Sequence, residues 1–310
     1  MIEAGTILQD RYLVSKHIGA GGMGAVYVGT DQRFGSTVAI KETFFTDESL
    51  RRAFEREARL LNSLRHPALA RVSDHFVDGN GQFLVMEYIP GDDLSELMAK
   101  RGTAFSIPEV MTWADQLLDA LIYLHSQDRQ VIHRDIKPHN LKLTSAGQIA
   151  LLDFGLARAQ PVDPSVTSSA AFFGYTRQYA PLEQIQDLST GPQSDIYALG
   201  ATMYYLLTGH KPVDALTRAA ALAAGEKDPL KPANEIHPSV GAEITLILNR
   251  AMAQDAQDRY ATAREFREAL RRTGRTISVD LNEENNSSPP PFDGAKTEPT
   301  IFGSYDSSQA

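Results

Sequence analysis

From Arg11 to about Tyr88 the apolar side chains come in short runs, rich in β-branched and aromatic residues and separated by Gly, Asp and Asn. That spacing predicts strands joined by turns, at residues 11–18, 25–30, 37–42, 69–77 and 82–88. One helical stretch interrupts them at about 49–64, where Phe54, Ala58, Leu61 and Leu64 fall on one face. From about Asp92 to Arg272 the three- and four-residue period takes over. Helices are predicted at 107–125, 193–208, 242–253 and 262–272, with Ser106 as N-cap and Pro108 in a first turn. The pattern describes an α+β chain: a small antiparallel β-sheet lobe with one helix, then a larger, mainly helical lobe. A ligand is expected in the cleft between them. The periodicity ends near residue 275. The domain is therefore placed at 1–275, its small lobe at about 8–88 and its large lobe at about 92–272. Residues 276–310 contain Asn-Glu-Glu-Asn-Asn-Ser-Ser and Pro289 to Pro291, and read as a disordered Pro/Ser/Asn-rich C-terminal tail.

Composition narrows the function classes. Of 310 residues, 42% are apolar, enough for a sizeable core, and the net charge is −9. That sign argues against a general nucleic-acid coat or a binder of anionic membranes. The chain has no cysteine, which removes disulfides, Cys-based zinc sites, iron–sulfur clusters and thiol nucleophiles. Met1-Ile-Glu-Ala-Gly lacks the charge-then-apolar order of a signal peptide, and the longest nearly apolar run, Ile196 to Leu207, is too short for a membrane span. A cytoplasmic location is expected.

Three segments carry candidate chemistry. In Gly19-Ala20-Gly21-Gly22-Met23-Gly24-Ala25-Val26 the glycines would let backbone N–H groups approach phosphate closely. Alone, the pattern equally describes a glycine-rich hairpin. Its strand-like flanks disfavour a dinucleotide fold, where such a loop leads into a helix. Val38-Ala39-Ile40-Lys41 puts a lysine at the end of an apolar strand. Glu57 follows in the predicted helix, on the face of Phe54, Ala58 and Leu61, while the competing Glu55 points about 200° away around the helix. A Lys41–Glu57 ion pair is expected. The third segment is His133-Arg134-Asp135-Ile136-Lys137-Pro138-His139-Asn140, followed by Asp153-Phe154-Gly155. The order and spacing of these residue types, together with the other two segments, are far more specific than any part.

On these residues the chain resembles the bacterial eukaryotic-like (Hanks-type) serine/threonine protein kinases, over about residues 8–272. The resemblance implies a bilobal protein-kinase fold with one regulatory helix and an ATP cleft between the lobes. It implies transfer of the γ-phosphoryl group of ATP to Ser/Thr hydroxyls of protein substrates, with Mg²⁺ as metal and Mn²⁺ as a substitute. By resemblance, Asp135 accepts the substrate hydroxyl proton, Lys137 neutralises the γ-phosphoryl group, and Glu57 holds Lys41 toward the α- and β-phosphates. Asn140 and Asp153 are the metal ligands. Met86 is the gatekeeper, backbone groups of Glu87 and Ile89 meet the adenine edge, Asp93 meets the ribose, and Ile18, Val26 and Ala39 roof the ring. His133 is a packing residue. Asp195 in Ser194-Asp195 holds the catalytic-loop backbone, and Thr176 contacts the acceptor hydroxyl.

Two positions depart from the family. Lys142 stands where an aliphatic residue usually floors the adenine; its stem is expected to pack under the ring with the ammonium in water. Tyr179-Ala180-Pro181-Leu182-Glu183 replaces the usual Ala-Pro-Glu, with Glu183 still expected to pair with Arg259. In the polar stretch after Asp153, Thr167 and Ser169 are candidate autophosphorylation sites, whose phosphate Arg134 would meet. In the tail, Thr300 within Glu298-Pro299-Thr300-Ile301-Phe302 resembles the phosphothreonine ligands of forkhead-associated domains. A passive solubilising tail is the other reading. Two alternatives to an active protein kinase share the fold. A pseudokinase scaffold would lack Lys41, Asp135 or Asp153, and a small-molecule phosphotransferase would lack the segment from Pro181 to Glu183.

Overall fold

A computed structural model of the chain describes all residues except 22–23, 45–47, 80, 154–176 and 285–310. Strands β1 (Ile7–Leu8), β2 (Tyr12–Gly21), β3 (Gly24–Asp31), β4 (Ser36–Phe44), β5 (Val72–Asp78) and β6 (Gly81–Glu87) form one six-stranded sheet. Its spatial order is β1-β2-β3-β4-β6-β5, and all neighbours run antiparallel. The one helix of this lobe, α1 (Glu48–Ser63), crosses between β4 and β5.

Register gives the sheet two different faces. Val26 lies opposite Lys41, and Lys41 opposite Leu84; Val28 lies opposite Ala39, and Ala39 opposite Met86. Because side chains alternate along a strand, these residues share one face. Ala39, Leu84 and Met86 join the main core there, with Phe54, Ala58 and Leu61 of α1. Phe54 and Leu61 are each only 2% exposed, so each burial is worth about 1.5–3 kcal/mol. Ala25, Tyr27, Ile40, Phe83 and Val85 point the other way, into a separate cluster with Leu8, Tyr12 and Val14.

Helices α2 (Leu94–Arg101) and α3 (Ile107–His125) open the large lobe. The N-cap of α3 is Ser106, closed by a reciprocal bond with Glu109, and Pro108 occupies the first turn where its missing N–H costs nothing. A short hairpin follows, β7 (Leu141–Leu143) with β8 (Ile149–Leu151). After it come α4 (Leu182–Ile185), α5 (Pro192–Thr208), α6 (Ala215–Ala223), α7 (Ala233–Ile236), α8 (Gly241–Ala251) and α9 (Ala263–Glu284). Helix α5 is buried on all sides, which accounts for its unbroken apolar run. No helix among the described residues is long and apolar enough to cross a membrane. The lobes are stitched by backbone: Leu151 N–H donates to Ala68 O at 2.8 Å, and Ala70 N–H to Leu151 O at 3.1 Å.

The compact unit is Met1–Thr273. Helix α9 runs past the expected end at Arg272, so residues 276–284, assigned to a disordered tail from composition, are helical. The reason is local: after Gly274 no Gly or Pro interrupts the backbone until Pro289. The rest of the expected tail lies outside the described residues. The small strands β1, β7 and β8 and helices α2, α6 and α7 are too short for periodicity to reveal.

Candidate active site

The catalytic-type loop is built around a buried carboxylate. Asp195, in the first turn of α5, is fully buried. Its oxygens accept from His133 N–H at 2.9 Å, Arg134 N–H at 2.8 Å and His125 Nε2 at 2.9 Å. Burial alone would raise this carboxyl, but the donors, His125 first, hold it below the usual carboxylate range. Burial lowers His133, which is wholly enclosed. Arg134 adopts a positive φ of 66°, a conformation uncommon for a non-glycine residue, and its carbonyl accepts from Gln184 Nε2 at 2.9 Å.

Beyond that anchor the loop presents Asp135. Lys137 Nζ lies 3.2 and 3.0 Å from its two carboxylate oxygens, and Asn140 Nδ2 donates to one of them at 2.9 Å and to the Asp135 carbonyl at 2.7 Å. A 3₁₀ turn, Pro138–Asn140, capped by Lys137, folds Asn140 back onto Asp135. Asp153 follows closely, because Leu152 N–H donates to Asn140 O at 2.8 Å. Asp153 takes a positive φ of 56° and forms a salt bridge with Lys41 Nζ.

The expected Lys41–Glu57 ion pair is therefore not formed: among the described residues the Lys41 ammonium bonds Asp153 instead. Glu57 remains on the inward face of α1, where burial pushes its carboxyl up to about 7 against the pull of Arg134 and Arg129.

The glycine-rich segment joins β2 and β3. Gly24 must be glycine: a Cβ there would lie 1.8 Å from the Glu42 carbonyl oxygen. Val26 lies on the face of Lys41 and Ala39, whereas the Ala25 side chain points into the outer cluster, so the strand parity removes it from the expected ligand contacts. Ile18 is 44% exposed, Ala20 is exposed and Gly19 half-buried. Gly22 and Met23 lie outside the described residues, and Gly21 ends β2.

Between β6 and α2 runs the linker that carries Glu87, Ile89 and Asp93. Met86 and Ile89 are buried. Glu87 N–H donates to Arg71 O at 2.8 Å, while the N–H of Ile89 has no partner among the described residues. Asp93 caps α2: one carboxylate oxygen accepts from Ser95 and Glu96 N–H, both at 2.9 Å. Lys142 departs from expectation. Its ammonium does not stand free at the surface but donates to the carbonyls of Ile89 at 3.2 Å and, at an exposed position, Gly91 at 2.6 Å. Sequence reasoning missed this contact because more than fifty residues separate the partners.

Downstream, Arg259 grips Glu183 with two bonds of 2.7 and 3.0 Å, and Ser194 Oγ adds a third at 2.8 Å. Burial would raise Glu183, but Arg259 holds it below its ordinary value. Thr167, Ser169, Thr176, Phe154, Gly155 and Thr300 lie outside the described residues. No group of three or more His, Asp or Glu side chains among the described residues forms a metal cage. Asn140 and Asp153 together suit a hard cation that keeps waters and takes phosphate oxygens, as Mg²⁺ does.

The description "Protein kinase domain" fits residues 12–271. The chain belongs to the protein kinase family. Among curated relatives, serine/threonine-protein kinase PknL of Mycobacterium tuberculosis is 36% identical over 274 residues, covering 85% of this chain and 67% of the relative. Probable serine/threonine-protein kinase PknB of Lactococcus lactis is 32% identical over 270 residues, covering 86% of this chain but 42% of the relative. A probable serine/threonine-protein kinase of Clostridium acetobutylicum is 30% identical and matched over 40% of its length. The kinase chain thus spans less than half the length of several relatives. The crystal structure of the Mycobacterium tuberculosis PknI kinase domain superposes with a TM-score of 0.69 at 28% identity, over 88% of this chain and 99% of that one. The bilobal kinase fold expected from the sequence is the fold observed.

Proposed function

We propose that this chain is an active serine/threonine protein kinase that transfers the γ-phosphoryl group of ATP to Ser/Thr hydroxyls of proteins, its own activation segment included. The observation that carries the reading is the clamped Asp135 carboxylate, held by Lys137 and Asn140 beside the Lys41–Asp153 pair. Asp135 accepts the proton of the substrate hydroxyl as its oxygen attacks in line. Lys137, already 3.0 Å from Asp135, neutralises charge on the group in transit. Asn140 and Asp153 would hold Mg²⁺, or Mn²⁺ in its place, which would offset phosphate charge. Lys41, which bonds Asp153 here, would meet the α- and β-phosphates of bound ATP. The unpaired Ile89 N–H and the Glu87 backbone receive the adenine edge, under a roof of Ile18, Val26 and Ala39; Asp93 reaches the ribose with its second oxygen. Bound ATP·Mg²⁺ supplies the activated phosphoryl group and leaving group.

Thr167 and Ser169 are the autophosphorylation candidates, and Thr176 the contact for the acceptor hydroxyl. The substrates are proteins, the setting is the cytoplasm, and phosphorylated Thr300 would offer about two negative charges to forkhead-associated-domain proteins. The presence of Lys41, Asp135 and Asp153 speaks against a pseudokinase scaffold, and the Glu183–Arg259 pair against a small-molecule phosphotransferase. Purified chain incubated with labelled ATP, Mg²⁺ and either a generic basic protein or small-molecule acceptors separates the three. Label in protein, at Ser/Thr, and at least about 100-fold less of it in Asp135→Asn, is the expected result. Equal phosphate in both preparations overturns the proposal.

A further inference from the structure

Lys142 occupies the middle of β7, paired with Ala150 on one side and bridged to Asp93 on the other. From there its ammonium reaches the carbonyls of Ile89 and Gly91, and it meets no carboxylate among the described residues. Its charge rests on the peptide dipoles of the linker. That linker is otherwise held at its ends, by Glu87 N–H on Arg71 O and by the Asp93 cap of α2, and at Asp92, whose carboxylate accepts from Lys100 Nζ at 2.5 Å. Between them Gly91 takes a φ of 90°, a turn that favours glycine and offers no side chain to lock it. The two bonds from Lys142 bridge this gap. One of them falls on Ile89, whose own N–H is left unpaired; together they fix the Ile89–Pro90 and Gly91–Asp92 peptide planes while leaving the Ile89 donor available.

We propose that Lys142 is a positioning residue of the nucleotide site: its stem floors the site, and its ammonium staples the interlobe linker in the geometry that presents the Ile89 N–H. The inference rests on the nucleotide-site reading above. An aliphatic floor would supply the same stem and no staple, so the ordering cost of the linker would fall on ligand binding.

The chain has no cysteine, so Lys142→Cys carries a unique thiol. Alkylation with 2-bromoethylamine rebuilds an ammonium at nearly lysine length, while methylthiolation adds a neutral chain of similar bulk. ATP·Mg²⁺ affinity is measured by calorimetry, and amide exchange of residues 88–92 by mass spectrometry without nucleotide. Lys142→Cys and its methylthio form are expected to bind ATP roughly tenfold more weakly, about 1.4 kcal/mol, and to exchange faster at the linker. The aminoethyl form returns both to wild-type values, and saturating ATP restores turnover throughout, so KM moves and kcat does not. Lys142→Met, with a stem and no charge, gives the same loss should the cysteine variant fold poorly. Neutral variants within twofold of wild type in affinity and exchange, or an aminoethyl form that restores neither, overturn the proposal. Wild-type chain that binds no ATP would instead refute the nucleotide site, and linker exchange would still test the staple.

Discussion

Replacing Asp195 by Asn tests whether the catalytic loop is held from beneath. Three donors converge on the two carboxylate oxygens: His125 Nε2, His133 N–H and Arg134 N–H. An amide has one carbonyl oxygen and one NH₂ group, so in either orientation at least one donor faces another donor. Hydrogen bonds to a charged acceptor contribute about 1.5–3 kcal/mol each, and an unsatisfied buried donor costs about 1–3 kcal/mol. A loss of about 3–5 kcal/mol follows, a lowering of the melting temperature by roughly 10 °C at about 2–4 °C per kcal/mol. The same loop carries Asp135, and a shift near 1 Å in a reacting group costs about 100-fold in rate. Calorimetry and steady-state kinetics should therefore show a large fall in kcat with KM for ATP little changed. His125→Phe removes one donor without touching the loop backbone, so it should cost stability but spare kcat. Asp195 sits below its unfolded value, so its contribution is complete above the ordinary carboxylate range and fades as pH falls through the folded value. A melting temperature within 2 °C and a kcat within threefold of wild type in Asp195→Asn would refute this reasoning.

Lys41→Met should abolish phosphoryl transfer while unfolding stays cooperative, since the lysine serves charge and positioning; retention of more than about a hundredth of the wild-type rate counts against its role. Arg259→Leu leaves the Glu183 carboxylate buried without its fork and should cost about 3–5 kcal/mol in urea unfolding. Glu57 behaves oppositely to a paired carboxylate. Its folded value near 7 exceeds the unfolded one, so wild-type stability should fall as pH rises from about 4.5 to 7 and level off above. Glu57→Gln should remove that slope and be more stable at neutral pH by about 3 kcal/mol; parallel pH–stability curves for the two proteins would show that Glu57 is not buried this way.

The local order of the chain was legible in the sequence, because helix and strand periods and turn residues act within a few positions. That is why the five main strands, α1, α3 with its Ser106 cap and α5 lie close to where patterning puts them. The Glu183–Arg259 pair was also foreseen, through family resemblance. Tertiary structure decided what depends on competition or on strand parity. Which carboxylate holds Lys41 follows from which lies nearer in space, and Asp153 prevails over Glu57. Whether Ala25 or Val26 faces the cleft follows from the register of β3 on β4, which sets Val26 opposite Lys41, since a slip of one residue turns every side chain to the other face. The Lys142 staple joins segments more than fifty residues apart, and His125 and Asp195 are separated by seventy. A polar side chain's partner over such distances is set by the packed lobes around it, and no local pattern in the chain encodes it.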